Sequence, residues 1–258
     1  MHLIFIRHGD PDYKNDSLTE KGFKEAELLS KRVCEWDISQ IYLSPYGRAQ
    51  KTAMPFLTRM NRQAVTLPWL KEFDSKIIDP DTKRPRGCWD WLPEAYYGEN
   101  RYLDRKKWYK TKPMKDADIQ SRYLEVCNGI DAVLESNGFK RRDFWTPIYS
   151  CSPHLSMEEA AVDTHLLSGQ KDLDPRNLVF VCHLGVMFCV IAHLTGIAPT
   201  QLWQGFFVAP TSVTVLSMEE RMPGKAVFRV QSLGDAGHLV QNGENSSDSG
   251  FFGHTLDL

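Results

Sequence analysis

The stretch Leu3-Ile4-Phe5-Ile6-Arg7-His8-Gly9 runs from four consecutive apolar residues into a basic pair and a glycine. A short run that is apolar at every position is typical of a strand in a parallel sheet covered on both faces. Ligands of such sheets bind beyond the carboxyl ends of the strands, so we expect Arg7 and His8 at a binding edge. Arginine offers a fork of donors that matches phosphate oxygens, and Gly9 lets the backbone turn sharply.

Two later stretches repeat this pattern of a strand followed by polar groups. The apolar run at 41–43 leads into Ser44 and a helix start that carries Arg48, and the run at 178–182 leads into His183. A helix N-terminus adds backbone N–H groups and a positive dipole end, which favour an anion. Three strand ends therefore bring two arginines and two histidines to one edge. A phosphoryl-transfer site with a histidine nucleophile requires such a set.

The rest of the chain alternates strand patterns with helical ones. We expect helices over 19–33, 48–60, 119–134 and 186–194, and later strands over 212–216 and 227–230. The apolar residues at helical spacing in the first helix are Phe23, Ala26, Leu29 and Val33. Ser17 or Thr19 can cap this helix. The order predicts the α/β class, as a three-layer α/β/α sandwich around a mostly parallel sheet, with a large insertion (cap) over the active site.

Composition and charge exclude several classes of protein. The chain has 258 residues, of which 42% are hydrophobic and 25% charged, with a formal net charge of -2. These values exclude wholesale disorder, and they demand neither a nucleic-acid nor a membrane partner. No apolar run approaches the roughly 18–20 residues that span a bilayer, and the first residues lack the basic leader of a signal peptide. Six cysteines without a CxxC pair favour a reducing, cytoplasmic location.

We divide the chain into one domain over residues 1–240 and a flexible C-terminal tail over 241–258, which is rich in serine and glycine. Proline and aromatic residues mark an insertion at about 74–170 within the domain. Its aromatic residues are candidates for a substrate wall or for the core of the insertion, namely Trp89, Trp91, Tyr96, Tyr97, Trp108 and Tyr109. A basic run at 101–115 is either a solvated face or an attractant for a polyanion.

The motifs together resemble those of the histidine phosphatase superfamily, which includes phosphoglycerate mutases and many phosphatases. The resemblance rests on four elements in the right order: Arg7-His8-Gly9, Leu18-Thr19-Glu20-Lys21-Gly22, Ser44-Pro45 with Arg48-Ala49 and Thr52-Ala53, and His183 with Gly185. It covers about the first 72 residues and about 176–240. A tripeptide alone is a weak signal, whereas the ordered set is specific.

The resemblance implies roles for the residues of these motifs. His8 is the expected nucleophile, which becomes transiently phosphorylated, and Arg7, Arg48 and His183 hold the transferred phosphoryl group. Two nearby arginines disfavour protonation of His8, and His183 can be the cationic donor. The implied chemistry needs no metal, and we expect no cofactor.

The proton for the leaving oxygen is expected from a carboxylic acid. Members of the family often carry this acid in a Leu-x-Glu element, which Leu70-Lys71-Glu72 matches, so Glu72 is the first candidate. The usual continuation after this glutamate is missing here, which leaves Asp74 and Asp90 as rivals.

Substrate contacts are expected from Gly9, Tyr13 and Leu184. His238 lies in a late element that is similar to one in some relatives.

The resemblance therefore implies a phosphomonoester hydrolase that acts through a phosphohistidine intermediate on a small phosphorylated metabolite. A phosphoglycerate-type mutase is the first alternative, because fold and motif do not separate the two. A non-catalytic module that binds a phospho-ligand or nucleic acid is the second. We expect a small phosphorylated substrate as the partner, no nucleic acid and no membrane, and a homodimer stays open.

Overall fold

The computed structural model of the chain describes residues 1–91, 93–160 and 174–256. The strands are β1 His2–Arg7, β2 Pro11–Asp12, β3 Ser17–Leu18, β4 Gln40–Leu43, β5 Val65–Thr66, β6 Lys76–Ile78, β7 Pro85–Gly87, β8 Lys140–Asp143, β9 Thr146–Ser150, β10 Asn177–Cys182, β11 Val213–Met222 and β12 Lys225–Asp235. The helices are α1 Glu20–Val33, α2 Gly47–Met60, α3 Pro93–Tyr97, α4 Lys112–Asp116, α5 Ile119–Ser136, α6 Met157–Ala160, α7 Leu184–Thr195, α8 Pro199–Gly205 and α9 Gly237–Val240.

The main sheet of the described ranges has eight strands in the order β5-β4-β10-β1-β11-β12-β9-β8. Strands β5, β4, β10 and β1 run parallel to one another, and the strands from β11 onward pair antiparallel. Strand β1 lies inside the sheet, in register with β10 on one side and β11 on the other. The carboxyl ends of β1, β10 and β4 therefore meet at one edge.

Both faces of the sheet are covered by apolar packing. Leu3 and Phe5 belong to a core cluster that also contains residues of α5 and α7, whereas Ile4 and Ile6 belong to a second cluster with residues of α1 and α2. Successive side chains of a strand point to opposite faces. The four apolar residues of β1 are thus divided between two helical layers. The predicted α/β/α sandwich is confirmed.

The four predicted helices are present, with ends within two residues of the predicted ones. The Thr19 side chain accepts the N–H of Gly22 at the start of α1, so Thr19 rather than Ser17 is the cap. One expectation within this helix is wrong, because Phe23 is 46% exposed. Gly22, Ala26, Leu29 and Val33 form the buried stripe instead, and position 23 lies about 100° around the helix from position 22.

The segment expected as an insertion contributes to two parts of the fold. Residues 76–91 and 93–116 form a small hairpin, β6–β7, with short helices and aromatic core residues. The later part supplies α5, strand β9 and the edge strand β8 of the main sheet. Its expected end, residues 161–170, lies outside the described residues. Within the described residues, the helices are too short or too polar to cross a bilayer.

Candidate active site

Three strand ends converge at the carboxyl edge of the sheet. The N–H of His8 donates to the carbonyl of Cys182 over 2.9 Å, and the N–H of Ser44 donates to the carbonyl of Val181 over 2.9 Å. These bonds hold the residues that follow β1, β4 and β10 side by side. The imidazole rings of His8 and His183 consequently lie with their centroids 5.0 Å apart.

His8 is held as a neutral imidazole in one tautomer. Its Nδ1 lies 2.7 Å from the carbonyl oxygen of Gly9. A carbonyl oxygen only accepts, so Nδ1 carries the proton and Nε2 keeps its lone pair. Burial lowers the pKa of His8 well below its ordinary value, and the positive charges of Arg7 and Arg48 lower it further. Nε2 is therefore available as a nucleophile at neutral pH.

Two glycines let chain segments approach each other next to this imidazole. A Cβ at Gly9 would lie 2.8 Å from the carbonyl oxygen of Gly22, and a Cβ at Gly22 would lie 2.2 Å from that of Asp10. The N–H of Gly9 donates to Oγ1 of Thr52 over 2.9 Å, and that of Gly22 donates to Oγ1 of Thr19 over 3.0 Å. These close approaches are the physical reason why each of the first two motifs contains a glycine.

Arg7 is a buried cation that is held from two sides. Its Nη1 donates to the carbonyl of Val208 over 2.7 Å, and its Nη2 donates to the carbonyl of Ser249 over 2.6 Å. The guanidinium also lies 5.6 Å from the ring centroid of Phe207. Burial lowers its pKa, but an arginine remains charged at neutral pH. Ser249 belongs to the segment expected as a tail, so this segment contacts the site.

Arg48 lies in the first turn of α2 between two aromatic rings. Its guanidinium carbon is 4.7 Å from the ring centroid of Tyr46 and 5.4 Å from that of Tyr13. Asp16 accepts from Nη1 of Arg48 over 2.9 Å and from the N–H of Gly47 over 2.6 Å. In the described part of the chain, Nε of Arg48 has no hydrogen-bond partner. The Asp16 carboxylate thus orients the Arg48 guanidinium, which retains its Nε–H as a donor for a ligand.

His183 is fully buried beside the same groups. Its Nε2 lies 2.6 Å from Oγ of Ser44, and its Nδ1 has no partner among the described residues. Burial lowers the pKa of His183 well below its ordinary value, and the positive charges of Arg48 and Arg7 lower it further. The structure therefore favours a neutral ring, in contrast to the expectation of a cationic His183.

Glu72 is a buried carboxylate that contacts the first residues of α7. Its Oε1 accepts the N–H of Phe73 over 2.7 Å and that of Val186 over 3.0 Å, and its Oε2 accepts that of Gly185 over 3.4 Å. These bonds favour the anion, but burial outweighs them and raises the pKa of Glu72. A carboxyl group with a raised pKa can hold a proton for a leaving oxygen.

The two rival acids have different surroundings. Asp74 is exposed and accepts the hydroxyl of Tyr46 over 3.0 Å. Asp90 has an oxygen 3.8 Å from Nη1 of Arg86, and it lines a cavity beside the site.

The residues expected to contact substrate lie around these groups. Tyr13 is 64% exposed, with its ring over Arg48. Leu184 is buried, follows His183 directly and lines the same cavity of about 680 Å³. The expected aromatic wall is divided: Trp89 and Trp91 line this cavity. The remaining aromatic candidates do not line it: Tyr96, Trp108 and Tyr109 are buried in the core, and Tyr97 is exposed.

The basic run at 101–115 is partly neutralised by ion pairs. Arg101 pairs with Glu99, and Lys107 pairs with Asp104 over 3.2 Å. Lys112 pairs with an acid one helical turn later. Segment 99–116 nevertheless holds seven Lys and Arg residues against three Asp and Glu residues, so it keeps a formal net charge of +4, and attraction of a polyanion stays a prediction.

Sequence reasoning missed Asp16 and Thr211, which support the site. Thr211 adopts a positive φ of 56°, and its N–H donates to the carbonyls of Arg7 and His8 over 3.0 and 3.3 Å. Nε2 of His238 lies 3.2 Å from Oγ1 of Thr211, and burial lowers the pKa of this histidine to about 4. The roles of Asp16 and Thr211 leave no local sequence pattern, because each acts on residues far along the chain.

Potential metal ligands lie at another place. Ligand atoms of Cys151, His154 and Glu220 lie within 4.8 Å of one another. Glu220 already accepts from Nδ1 of His154 over 2.8 Å and from the N–H of Gly224 over 2.7 Å. These contacts satisfy the buried carboxylate with hydrogen bonds.

Comparison with known proteins finds a match to one family model. The chain matches the family model of the histidine phosphatase superfamily (branch 1) over residues 3–130. It is 32% identical over 94 residues to the 2,3-bisphosphoglycerate-dependent phosphoglycerate mutase of Thermoplasma acidophilum, which covers 33% of this chain and 44% of that protein. It is 22% identical over 226 residues to putative phosphoserine phosphatase 2 of Hydrogenobacter thermophilus, which covers 84% and 89%.

The fold is similar to that of solved structures. A phosphoserine phosphatase mutant from Entamoeba histolytica, in complex with phosphoserine, superposes with a TM-score of 0.52 at 17% identity, over 92% of this chain and 98% of that one. The chain spans less than half the length of the curated relatives that it matches at more than 30% identity. Because the solved structure is 17% identical, its likeness supports the fold alone.

Proposed function

Because the chain belongs to the histidine phosphatase superfamily, we propose that it is a phosphomonoester hydrolase that acts through a phosphohistidine intermediate on a small phosphorylated metabolite. The observation that carries the proposal is the state of His8. Its ring is neutral, its Nδ1 is committed to the carbonyl of Gly9, and its Nε2 lies within a cluster of Arg7, Arg48 and His183. This arrangement supplies a nucleophile and fixed positive charge in one place.

The reaction proceeds in two steps. Nε2 of His8 attacks phosphorus, the bond from phosphorus to the ester oxygen breaks, and Glu72 donates its proton to the departing oxygen. Water then attacks the phosphohistidine, Glu72 takes up a proton from this water, and inorganic phosphate leaves with His8 restored. The raised pKa of Glu72 supports both of its roles.

Arg7, Arg48 and His183 bind the transferred phosphoryl group. Charge on its equatorial oxygens is stabilised by fixed donors, and positioning dominates such catalysis. Each of the three carries a buried nitrogen with no hydrogen-bond partner among the described residues. A bound phosphate dianion raises the pKa of a neighbouring imidazole, so His183 gains its proton and its positive charge together with the substrate.

The residues that follow Glu72 favour hydrolysis over mutase chemistry. The glycine and aromatic-acidic continuation typical of the family is replaced here by Phe73-Asp74-Ser75-Lys76. The relatives that match over most of this chain are named phosphoserine phosphatases, whereas the mutase matches over 33% of it.

Steady-state turnover and trapping of the intermediate test the proposal. We expect release of inorganic phosphate from simple esters, and an acid-labile label on the protein from a ³²P-labelled substrate. His8→Ala removes both. His2→Gln is the matched control, because His2 lies at the other end of the same strand, about 20 Å away. Normal turnover by His8→Ala refutes the mechanism, and interconversion of phosphoglycerates without phosphate release makes the protein a mutase.

We further propose a cytoplasmic location. All six cysteines of the chain lie within the described residues, and each is a free thiol. Free, mostly buried thiols are typical of proteins from reducing compartments. Fractionation of the source cells, followed by immunodetection, tests this location.

A further inference from the structure

A cavity of about 680 Å³ opens beside the candidate active site. Its walls include seven aromatic side chains, which we call the aromatic pocket: Trp89, Trp91, Trp203, Phe206, Phe207, Phe251 and Phe252. The volume lies within the range of roughly 300–1,000 Å³ that is usual for small-molecule sites. The pocket can therefore hold the organic part of a small ester.

The aromatic pocket is continuous with the groups that hold the phosphoryl group. The ring of Phe207 lies against the guanidinium of Arg7 at 5.6 Å, and it contacts the ring of Phe251 with centroids 4.9 Å apart. A Cβ at Gly250, which also lines the cavity, would lie 3.2 Å from Nη2 of Arg7. One wall of the pocket is thus built directly on a phosphate-binding cation.

Another wall of the pocket, at Trp89, reaches the proposed acid. A Cβ at Gly185 would lie 2.8 Å from Oε1 of Glu72 and 2.8 Å from Cδ1 of Trp89. The carboxyl group and the indole therefore meet at the same glycine. Glu72 protonates the leaving oxygen, so the alcohol part of the ester lies on the side where Trp89 stands.

The polar groups at the pocket are engaged with one another. Arg86 lies 3.3 Å from a carboxylate oxygen of Asp79 and 3.8 Å from one of Asp90. The side-chain amide of Gln204 donates to the carbonyl of Trp91 over 3.2 Å. Among the described residues of the pocket, these pairs leave little excess positive charge for a second anionic group of the substrate. Recognition in this pocket therefore depends on apolar and ring contacts.

The aromatic rings at the mouth are also exposed. Phe251 is 46% exposed, Phe206 is 49% exposed and Phe252 is 90% exposed. Clustered exposed aromatic side chains mark sites of contact, since their burial is favourable. A planar ring in the cavity would remove apolar surface of these side chains from water.

On the basis of the proposed function, we propose that the aromatic pocket binds the alcohol part of the substrate and selects phosphomonoesters that carry an aromatic ring. Charged or polyhydroxylated alcohols, such as those of phosphoserine and 3-phosphoglycerate, are poor substrates. Stacking against the rings and exclusion of water supply the preference.

Two esters of equal chemical reactivity separate recognition from leaving-group effects. Propyl phosphate and 3-phenylpropyl phosphate both release a primary alcohol, and only the second carries a ring. We expect kcat/KM to be roughly tenfold to a hundredfold higher for the phenyl compound, because a buried phenyl group contributes a factor of this size. Phe251→Ala and Phe252→Ala lower this ratio, whereas Tyr97→Ala, an exposed aromatic site outside the pocket, keeps it.

Binding of non-hydrolysable phosphonates distinguishes failure of the pocket from failure of the proposed function. We expect 3-phenylpropylphosphonate to bind at least about tenfold more tightly than propylphosphonate in calorimetry, whether or not the protein turns over esters. Equal dissociation constants overturn the aromatic pocket, and so does a higher kcat/KM for phosphoserine or 3-phosphoglycerate than for the phenyl ester. Tight binding of the phenylphosphonate without any turnover refutes the hydrolase and keeps the pocket.

Discussion

Substitution of Glu72 by glutamine removes the proton that the carboxyl group would donate to the leaving oxygen, and it changes little else at the site. The amide side chain of Glu72→Gln would keep an oxygen for the N–H groups of Phe73 and Val186, which are the shorter of the three bonds at 2.7 and 3.0 Å. The amide nitrogen would face the N–H of Gly185, where the present contact is weak at 3.4 Å. The substitution therefore tests proton transfer in a nearly unchanged frame.

The expected effect follows from these contacts. Loss of one long hydrogen bond leaves the free energy of unfolding within about 1 kcal/mol of its original value. Proton donation by a positioned side chain contributes about 10²- to 10⁴-fold. We expect kcat for Glu72→Gln to fall by about that factor with alkyl phosphates, whose alkoxides need the proton. With p-nitrophenyl phosphate we expect a fall of less than about threefold in the first step, because its phenolate leaves unprotonated.

Steady-state and pre-steady-state kinetics with both esters measure this difference. The first step is read from the burst of p-nitrophenolate, because Glu72 also assists the attack of water in the second step. Asp74→Asn and Asp90→Asn are the matched controls, since each removes the charge of a rival acid. Equal slowing with both esters in Glu72→Gln refutes the assignment, as does a leaving-group-dependent loss in either control.

Two further substitutions test the supporting groups. Asp16→Asn weakens the hydrogen bonds that the Asp16 carboxylate accepts from Arg48 and from the N–H of Gly47. We expect kcat/KM to fall about tenfold, which is the effect of one charge-assisted hydrogen bond. An unchanged kcat/KM would exclude this positioning role. The pKa of His238 is lowered from 6.5 to about 4, so the unfolded chain binds more protons here and stability falls as the pH drops through this interval. His238→Gln, which keeps a polar contact to Thr211, should remove about 2 kcal/mol of the acid-induced loss in the free energy of unfolding, measured by urea denaturation. The same pH dependence of this free energy in both proteins would contradict the prediction.

The fold was predictable where burial leaves a pattern in the sequence. Strands β1, β4 and β10 are buried on both faces, so each is an apolar run, and the helices between them show one apolar stripe. Strand β8 has the sequence Lys140-Arg141-Arg142-Asp143 and was missed, because an edge strand exposes its side chains. Phe23 misled the assignment of the buried face, because a glycine occupies the position that packs most closely.

The site was predictable as far as its residues lie in motifs. His8, Arg7, Arg48 and His183 converge because each follows a strand end, and strand ends are readable from the sequence. Ser249 contacts Arg7 from the far end of the chain, and nothing local marks it. Long-range pairs of this kind depend on the complete tertiary fold.

Strand β1 pairs on one side with residues 177–182 and on the other with residues 213–217. During synthesis the ribosome releases this apolar segment long before either partner exists. At roughly 5–20 residues per second, its two edges stay unpaired for on the order of ten seconds or more. Exposed apolar surface and unpaired strand edges promote aggregation, so synonymous mutations that slow translation before β10 should lower the soluble yield without altering the mature protein.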